Sequence, residues 1–435
     1  MEDMDFICNF ADLLMWTVMK LLRGVAAGAA AVVAAVLVVA SFCGMERAAY
    51  TSWPIMAAWG VLAAAGSIYI ALSAARHSMN GWLVALHMSL LVVGIGACVT
   101  HFCGEEGTLV VRSGGASDVY LDSNGRFRDI GAMVEFEGST KNGCVLAVDD
   151  REAIVRINHP VNVGRVRLCI GNVSRAGAVM LVSSDRLGVG ISYAGYILFA
   201  LSGLGWLLHG KIRRREKIMT PERRRMPVIA LLIVGALIAL RWLSTGRPPM
   251  ATAGEALLVC SFGALLVAVF ARARSVERVA LVSGGVLALV GIAMSWGLNI
   301  TLPPALDSGW IVVHVATVMM AYALFLILGV LGVMRLIRRE QDYSTAMRRL
   351  CCWGIVLLGT GIFCGAVWAN QAWGRYWGWD PKETWALLTF AVYALPLHLK
   401  RLSGRRMALY FTLAPIVVAI TFFGVSYLGP SLHSY

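Results

Sequence analysis

The chain has 435 residues, of which 58% are hydrophobic and only 14% are charged, and its formal net charge is +13. A soluble globular domain carries about 25% charged residues, so this chain cannot cover a water-facing surface with polar side chains. The composition therefore argues against a soluble enzyme, a disordered chain and a small disulfide framework. The positive charge would suit an acidic partner, unless the positions of the basic residues along the chain explain it in another way.

Apolar segments long enough to cross about 30 Å of hydrocarbon recur along the whole chain. They are predicted at 24–44, 53–75, 82–103, 191–209, 227–243, 253–271, 279–296, 309–334, 351–369, 384–399 and 407–429. The sequence therefore predicts an all-α polytopic membrane protein with about eleven transmembrane helices.

Most of the 38 Lys and Arg residues lie in alternate loops, and the largest cluster falls between the fourth and fifth spans. Because basic loops stay on the cytoplasmic side of a membrane, this pattern predicts an N-terminus inside and a C-terminus outside. The net charge is then mainly a topology signal, and we expect no nucleic-acid partner.

Residues 104–190 form an exception to the apolar pattern. Their turn signals and β-branched runs lie at 109–112, 123–125, 141–143, 144–148 and 166–170. This alternation predicts a small β-rich domain, which the topology places on the outer side. Cys144 and Cys169 share this domain and are candidates for a disulfide in an oxidising compartment.

The loop that follows the ninth span, 373–385, reads WGRYWGWDPKETW. Tryptophan is common at membrane interfaces, but this loop places Trp373, Trp377, Trp379 and Trp385 among two glycines, two bases and two acids. Such a loop can present an apolar plate with charged edges. It therefore predicts a platform for a flat hydrophobic ligand.

This loop resembles the WWD signature of the System II cytochrome c synthases, a family of haem-handling membrane proteins. Residues 310–314 resemble the family's His-bearing helix, and 431–435 resemble its C-terminal histidine motif. The first part, 1–210, resembles the partner component of that family. The resemblance implies a fused chain in which a basic linker, 211–226, joins this part to a synthase part, 227–435.

The resemblance implies haem b as the substrate and four histidines as axial ligands of its iron. Their positions in the predicted spans divide them into two pairs. His87 and His398 lie near the inner ends of the third and tenth spans, whereas His314 and His433 lie near the outer side. His209 also lies at the inner depth and is the alternative ligand there.

The remaining polar residues of the loop have expected roles as well. Tyr376 belongs to the predicted platform, and Asp380 is expected to fix the loop through hydrogen bonds and to orient a base. The candidate partners of the haem propionates are Arg375, Lys382, Arg241 and Arg247. The predicted catalytic set is His314, His433 and Asp380.

The implied function is cytochrome c biogenesis in a bacterial cytoplasmic membrane. Haem would move from the cytoplasmic side to the outer platform, where the two thiols of an apocytochrome C-x-x-C-H motif would add to it as thioethers, a lyase-type synthase activity. A thiol-reducing membrane protein is a further candidate partner. The alternatives are a haem transporter of the same superfamily that forms no bond, a di-haem electron-transfer protein, and an unrelated transporter in which the loop is an aromatic belt.

Overall fold

A computed structural model describes residues 2–43, 50–76, 79–149, 151–209, 221–295, 300–338, 343–399 and 402–425. Long helices carry a separate layer formed by an antiparallel β-sheet. The helices are α1 (Glu2–Phe42), α2 (Trp53–Ala75), α3 (Gly81–Cys103), α4 (Arg186–His209), α5 (Pro221–Thr245), α6 (Ala253–Phe270), α7 (Arg274–Ser295), α8 (Gly309–Ile337), α9 (Ser344–Trp373), α10 (Pro381–His398), α11 (Gly404–Leu413) and α12 (Pro415–Ala419).

Ten helical segments in the described residues are long and apolar enough to cross a membrane. They confirm ten of the eleven predicted spans, and the last of them runs through α11, α12 and a π-helical turn to Gly424. The predicted span 384–399 coincides with α10, which is not among the ten, since Lys382 and Glu383 in its first turn lower its hydropathy. Residues 221–226 were predicted to belong to the linker, but they form the first turns of α5.

The predicted β-rich domain is an eight-stranded antiparallel sheet in the order β5-β4-β3-β2-β1-β8-β7-β6. Its strands are β1 (Glu106–Arg112), β2 (Ala116–Asp122), β3 (Phe127–Thr140), β4 (Gly143–Val148), β5 (Arg151–Arg156), β6 (Val161–Val163), β7 (Val166–Ser174) and β8 (Gly177–Ser183). Both predicted turns form hairpins, and Gly125 adopts a φ of 76° that favours glycine. The apolar side chains on one face form the core of the domain.

Cys144 and Cys169, the candidates for a disulfide, are both buried free thiols in the structure. The Cys144 sulfur lies in the domain core, 4.0 Å from the sulfur of Met180. Cys169 instead faces the end of α9, where a Cβ added to Gly374 would lie 3.2 Å from its sulfur. Burial raises the pKa of Cys144 to about 11 and that of Cys169 to about 12.

The two halves of the chain pack together where α4 meets α9. Glycines on both helices allow close approach, as is typical of membrane helices. A Cβ added to Gly203 would lie 2.8 Å from Val356, and one added to Gly359 would lie 2.5 Å from the ring of Phe199. This contact positions the loop after α9 directly beside the sheet. The ends of the helices nearest the sheet are called the sheet side below.

Candidate functional site

The tryptophan-rich loop between α9 and α10 makes polar contacts with the first half of the chain. Gly374 ends α9 with a φ of 74°. The Arg375 guanidinium lies 3.8 Å from the Glu106 carboxylate on β1. The Tyr376 hydroxyl lies 2.7 Å from the Thr100 hydroxyl on α3. The loop therefore connects the sheet, α3 and the helices of the second half.

Two residues predicted to form the platform are buried. Tyr376 is 6% exposed and Trp385 is 4% exposed. The Trp385 indole N–H donates to the Ser41 hydroxyl over 2.7 Å, and its ring packs edge-to-face on Phe42, with centroids 5.7 Å apart. Trp385 therefore anchors α10 to α1, and Tyr376 anchors the loop to α3. Both side chains are therefore anchors in the structure, and a platform role for them stays a prediction.

The other three indoles are partly exposed, but they do not lie in one plane. Trp377 and Trp379 meet edge-to-face at 5.7 Å and 88°, and Trp379 stacks on Tyr50 at 5.3 Å and 2°. Trp373 packs at 67° against Trp368. The rings thus form several aromatic surfaces at different angles instead of the single flat surface that was predicted. Trp379 has a φ of 58°, and such strained backbone in a bulky residue is concentrated at functional sites.

Asp380 fixes the loop, as predicted. Its carboxylate accepts from the Lys382 N–H over 2.9 Å at the start of α10, and it forms a capping box with Glu383. The Glu383 carboxylate accepts from the Gly378 N–H over 2.8 Å and so closes the loop on itself. Burial lowers the pKa of the Lys382 ammonium, and the negative charge of Asp380 opposes that shift. A catalytic role for Asp380 stays a prediction.

The two histidines of the predicted inner pair are brought together. The ring centroids of His87 on α3 and His398 on α10 are 5.9 Å apart. Each Nδ1 lies within hydrogen-bonding distance of a carbonyl one turn earlier, 2.7 Å to Leu83 and 2.9 Å to Ala394. A carbonyl only accepts, so Nδ1 carries the proton and the lone pair of the neutral ring lies on Nε2. Two imidazoles bound to one metal ion at about 2 Å have centroids roughly 6 Å apart, which this pair matches.

His314 has the same arrangement near the start of α8. Its Nδ1 lies 2.7 Å from the Gly361 carbonyl on α9, which again leaves the lone pair of the neutral ring on Nε2. Gly365 provides the space for the ring, since a Cβ there would lie 2.6 Å from Nδ1. His433, its predicted partner, lies outside the described residues. The alternative ligand His209 is exposed at the end of α4.

Arg241 and Arg247 face a buried carboxylate. Both bind the carboxylate of Glu255, which is 0% exposed. The Arg247 Nη1 lies 2.9 Å from one carboxylate oxygen, and the Arg241 Nε lies 3.0 Å from the other. One carboxylate compensates only one of the two positive charges, so the expectation that these arginines bind propionates stays a prediction. A carboxylate at the start of an apolar helix was the sequence signal for this partner.

Sequence reasoning missed Asn370, which is 1% exposed. With its amide oriented to satisfy both ends, the oxygen accepts from the Tyr193 hydroxyl and the Arg167 guanidinium, each over 2.8 Å, and the nitrogen donates to the Gly374 carbonyl over 3.3 Å. This one side chain connects α4, β7 and the tryptophan-rich loop.

Sequence reasoning also missed a cleft that lies between the sheet, the start of α8 and the end of α9. Two adjoining cavities of about 310 and 520 Å³ share Asn158, His159 and Gln371 in their walls. Trp310 on α8 and Arg167 on β7 line opposite parts of it. The volumes are those of typical ligand pockets. Gln371 in its wall precedes Trp373 of the tryptophan-rich loop by two residues.

Comparison with known proteins gives one consistent match. Residues 228–433 match the family model described as cytochrome C assembly protein. The chain is 32% identical over 308 residues to the cytochrome c biogenesis protein CcsA of Synechococcus sp. (strain CC9605), which covers 59% of this chain and 99% of the relative. The CcsA protein of Guillardia theta is 30% identical over 48% of this chain and 83% of its own length. That of Chlamydomonas reinhardtii is 31% identical over 50% and 69%.

Proposed function

The chain belongs to the CcsA family of cytochrome c biogenesis proteins, and from that premise we propose that it is a System II synthase that joins haem to the C-x-x-C-H thiols of an apocytochrome. The observation that carries the proposal is the pairing of His87 with His398 at 5.9 Å. These residues come from the two halves of the chain. The pairing also supports the proposal that residues 1–210 are the partner component, fused to the synthase.

The inner pair is proposed to receive haem b on the cytoplasmic side. His87 lies six residues from the end of α3 that is remote from the sheet, which is about 9 Å at 1.5 Å per residue. His398 lies at the corresponding end of α10. The alternation of basic loops supports an N-terminus inside, which places this end in the cytoplasm and the sheet outside. The Nδ1 contacts orient both rings, as backbone carbonyls commonly do for ligating histidines.

The outer site is proposed to lie between α8 and the tryptophan-rich loop, with His314 and His433 as axial ligands of the iron. The partly exposed rings of Trp373, Trp377 and Trp379 would contact the apolar haem surface. The Arg375 side chain faces Glu106 and is 36% exposed. It is the proposed partner of a propionate. Together these groups hold the substrate at the sheet side of the membrane.

The reaction proposed there is addition of two thiols across two vinyl groups of haem. Each sulfur bonds to one vinyl carbon and each thiol hydrogen ends on the other carbon, so no oxidant is consumed. The protein contributes by holding haem and peptide in reactive geometry, which lowers the entropic cost of the step. The capping box of Asp380 and Glu383 keeps the loop rigid for this purpose.

The test is co-expression with a C-x-x-C-H reporter in a host that lacks its own maturation system. Covalent haem on the reporter is measured by haem staining, and bound haem on the purified protein by its Soret absorbance. The variants His87→Ala, His398→Ala and His314→Ala are expected to lose most of the product. The matched controls His209→Ala and His101→Ala, both at exposed helix ends, are expected to keep it.

The outcomes separate the proposed functions. A wild-type protein that binds haem but matures no reporter would be a haem transporter, and the synthase proposal would fail. A wild-type protein that purifies without a Soret band would remove haem from the proposal altogether. Equal losses in the controls and in the paired histidines would show that the inner pair has no special role.

A further inference from the structure

The end of α10 that carries His398 follows a proline inside the helix. Pro396 is buried and lies two residues before His398. Proline has no backbone N–H, so the carbonyl four residues earlier, that of Val392, has no helical donor, and the proline ring crowds it. The last carbonyls of any helix also lack helical donors. The backbone that positions His398 therefore depends on donors from other parts of the protein.

The two neighbouring helices supply donors at the turn before Pro396. The Tyr410 hydroxyl on α11 donates to the Val392 carbonyl over 2.6 Å. The Cys351 thiol on α9 donates to the Tyr393 carbonyl over 3.1 Å. A thiol is a weak donor and a phenol is a strong one, so the Tyr410 contact is the stronger of the two. Together they satisfy the backbone where the proline interrupts the helix.

A third donor, the guanidinium of Arg348 on α9, lies at the end of the helix. Its Nη1 lies 3.4 Å from the Pro396 carbonyl, and its Nη2 lies 2.6 Å from the Leu402 carbonyl in the segment after α10. The planar guanidinium presents its N–H groups in a fixed geometry, and a cation is favoured near the carbonyl end of a helix. Because His398 lies between these two carbonyls in the chain, Arg348 fixes the backbone on both sides of it.

The His398 ring depends on this backbone for its position. The side chain is exposed at the end of α10, so burial of the ring does not hold it in place. Its Nδ1 hydrogen bond goes to Ala394 on the same helix, which orients the ring relative to α10 but not relative to α3. The 5.9 Å separation from the His87 ring is therefore set by where the end of α10 lies.

We propose that Tyr410, Cys351 and Arg348, called the α10 clamp below, are positioning residues that hold the end of α10 so that His398 and His87 can bind one haem iron. The clamp touches neither haem nor iron and acts through the α10 backbone. The role in haem ligation rests on the proposed function. Groups that orient a metal-bound histidine commonly contribute about 10–100-fold to metal affinity.

The first test is titration of the full chain in nanodiscs with haem b. The parent carries His314→Ala and His433→Ala, which remove the proposed outer ligands. Arg348→Met is expected to weaken haem binding about tenfold or more and to convert bound haem from the low-spin to the high-spin form, because one axial ligand is displaced. Arg348→Lys and Tyr410→Phe are milder changes with smaller expected losses of the same kind. The matched control Tyr393→Phe removes a buried α10 hydroxyl with no hydrogen-bond partner among the described residues, and it should bind haem as the parent does.

The second test measures the end of the helix without haem. Amide hydrogen exchange of residues 393–399 is expected to become several-fold faster in Arg348→Met and in Tyr410→Phe, because the helix end opens more often when a clamp contact is lost. Cys351→Ser keeps a donor at its position and should exchange like the parent, as should the control Tyr393→Phe.

The two measurements separate this proposal from the proposed function. The positioning role is overturned if Arg348→Met binds haem as tightly as the parent and in the same low-spin form. It is also overturned if Arg348→Met and Tyr410→Phe exchange no faster than Tyr393→Phe. A parent that binds no haem, with exchange altered as expected, would instead overturn the proposed inner haem site and leave the clamp assigned to the end of α10.

Discussion

Replacing Trp385 by Phe distinguishes an anchor from a ligand platform. The change removes the indole N–H that donates to Ser41 and leaves that hydroxyl, only 3% exposed, without its donor. Removing one partner of a buried hydrogen bond and leaving the other unsatisfied costs about 1–3 kcal/mol. We therefore expect Trp385→Phe to lower the free energy of unfolding by roughly 1–3 kcal/mol. The haem bound per folded molecule should stay near the wild-type value.

The assay compares this variant with Trp379→Phe in nanodiscs, using denaturant unfolding for stability and Soret absorbance per folded molecule for haem. Trp379 is partly exposed, so its change should cost less than about 1 kcal/mol of stability but reduce bound haem. In a double-mutant cycle, Ser41→Ala should offset part of the loss in Trp385→Phe, because it removes the unpaired hydroxyl. The assignment of Trp385 as an anchor is refuted if Trp385→Phe keeps full stability and loses more haem than Trp379→Phe.

Three further changes give expected outcomes. Glu255→Ala should lower the free energy of unfolding by about 3–5 kcal/mol, since it removes the buried carboxylate that Arg241 and Arg247 both bind, whereas Glu255→Gln should cost less; equal thermal midpoints for both would contradict this. Gly365→Ala should displace the outer histidine and reduce covalent haem on the reporter, whereas Gly285→Ala, with nothing within 4 Å of the added Cβ, should not. Burial raises the pKa of Cys169 to about 12, so at pH 8 it should be alkylated far more slowly than exposed Cys103, and its rate should rise about tenfold per pH unit. A Cys169 disulfide found by mass spectrometry of the native protein would refute the free-thiol assignment.

The membrane explains why some long-range contacts could be predicted from the sequence. Each span fixes how deep a residue lies, which placed His87, His398 and the alternative His209 at one depth. The family resemblance then implied the first two as the pair, although they are more than 300 residues apart. The hairpin turns could be predicted because asparagine and glycine set the local backbone. Depth does not say which way a side chain faces, and for that reason the packing of Trp385 on α1 could not be predicted.

The contacts of the sheet cysteines and of Glu255 were not predicted for a different reason. Cys144 and Cys169 lie on β4 and β7, and nothing in their spacing reveals that Cys144 lies in the domain core whereas Cys169 faces the end of α9. The cleft depends on the approach of the turn at Asn158 to residues 305–307, which are far away in sequence. Contacts of this kind arise from tertiary packing, which local propensity and periodicity do not encode.

The placement of β1 and β8 determines how the sheet is joined to the helices. These strands are the direct continuations of α3 and α4, and they pair with each other along their whole length from Glu106↔Ser183 to Arg112↔Gly177. The Ser184 N–H also donates to the Glu105 carbonyl over 2.9 Å. The sheet is therefore an insertion between α3 and α4, and the pairing of β1 with β8 closes it where it meets these two helices. The register at which α3 and α4 meet the sheet is therefore set by β1 and β8 alone, whatever the length of the other strands.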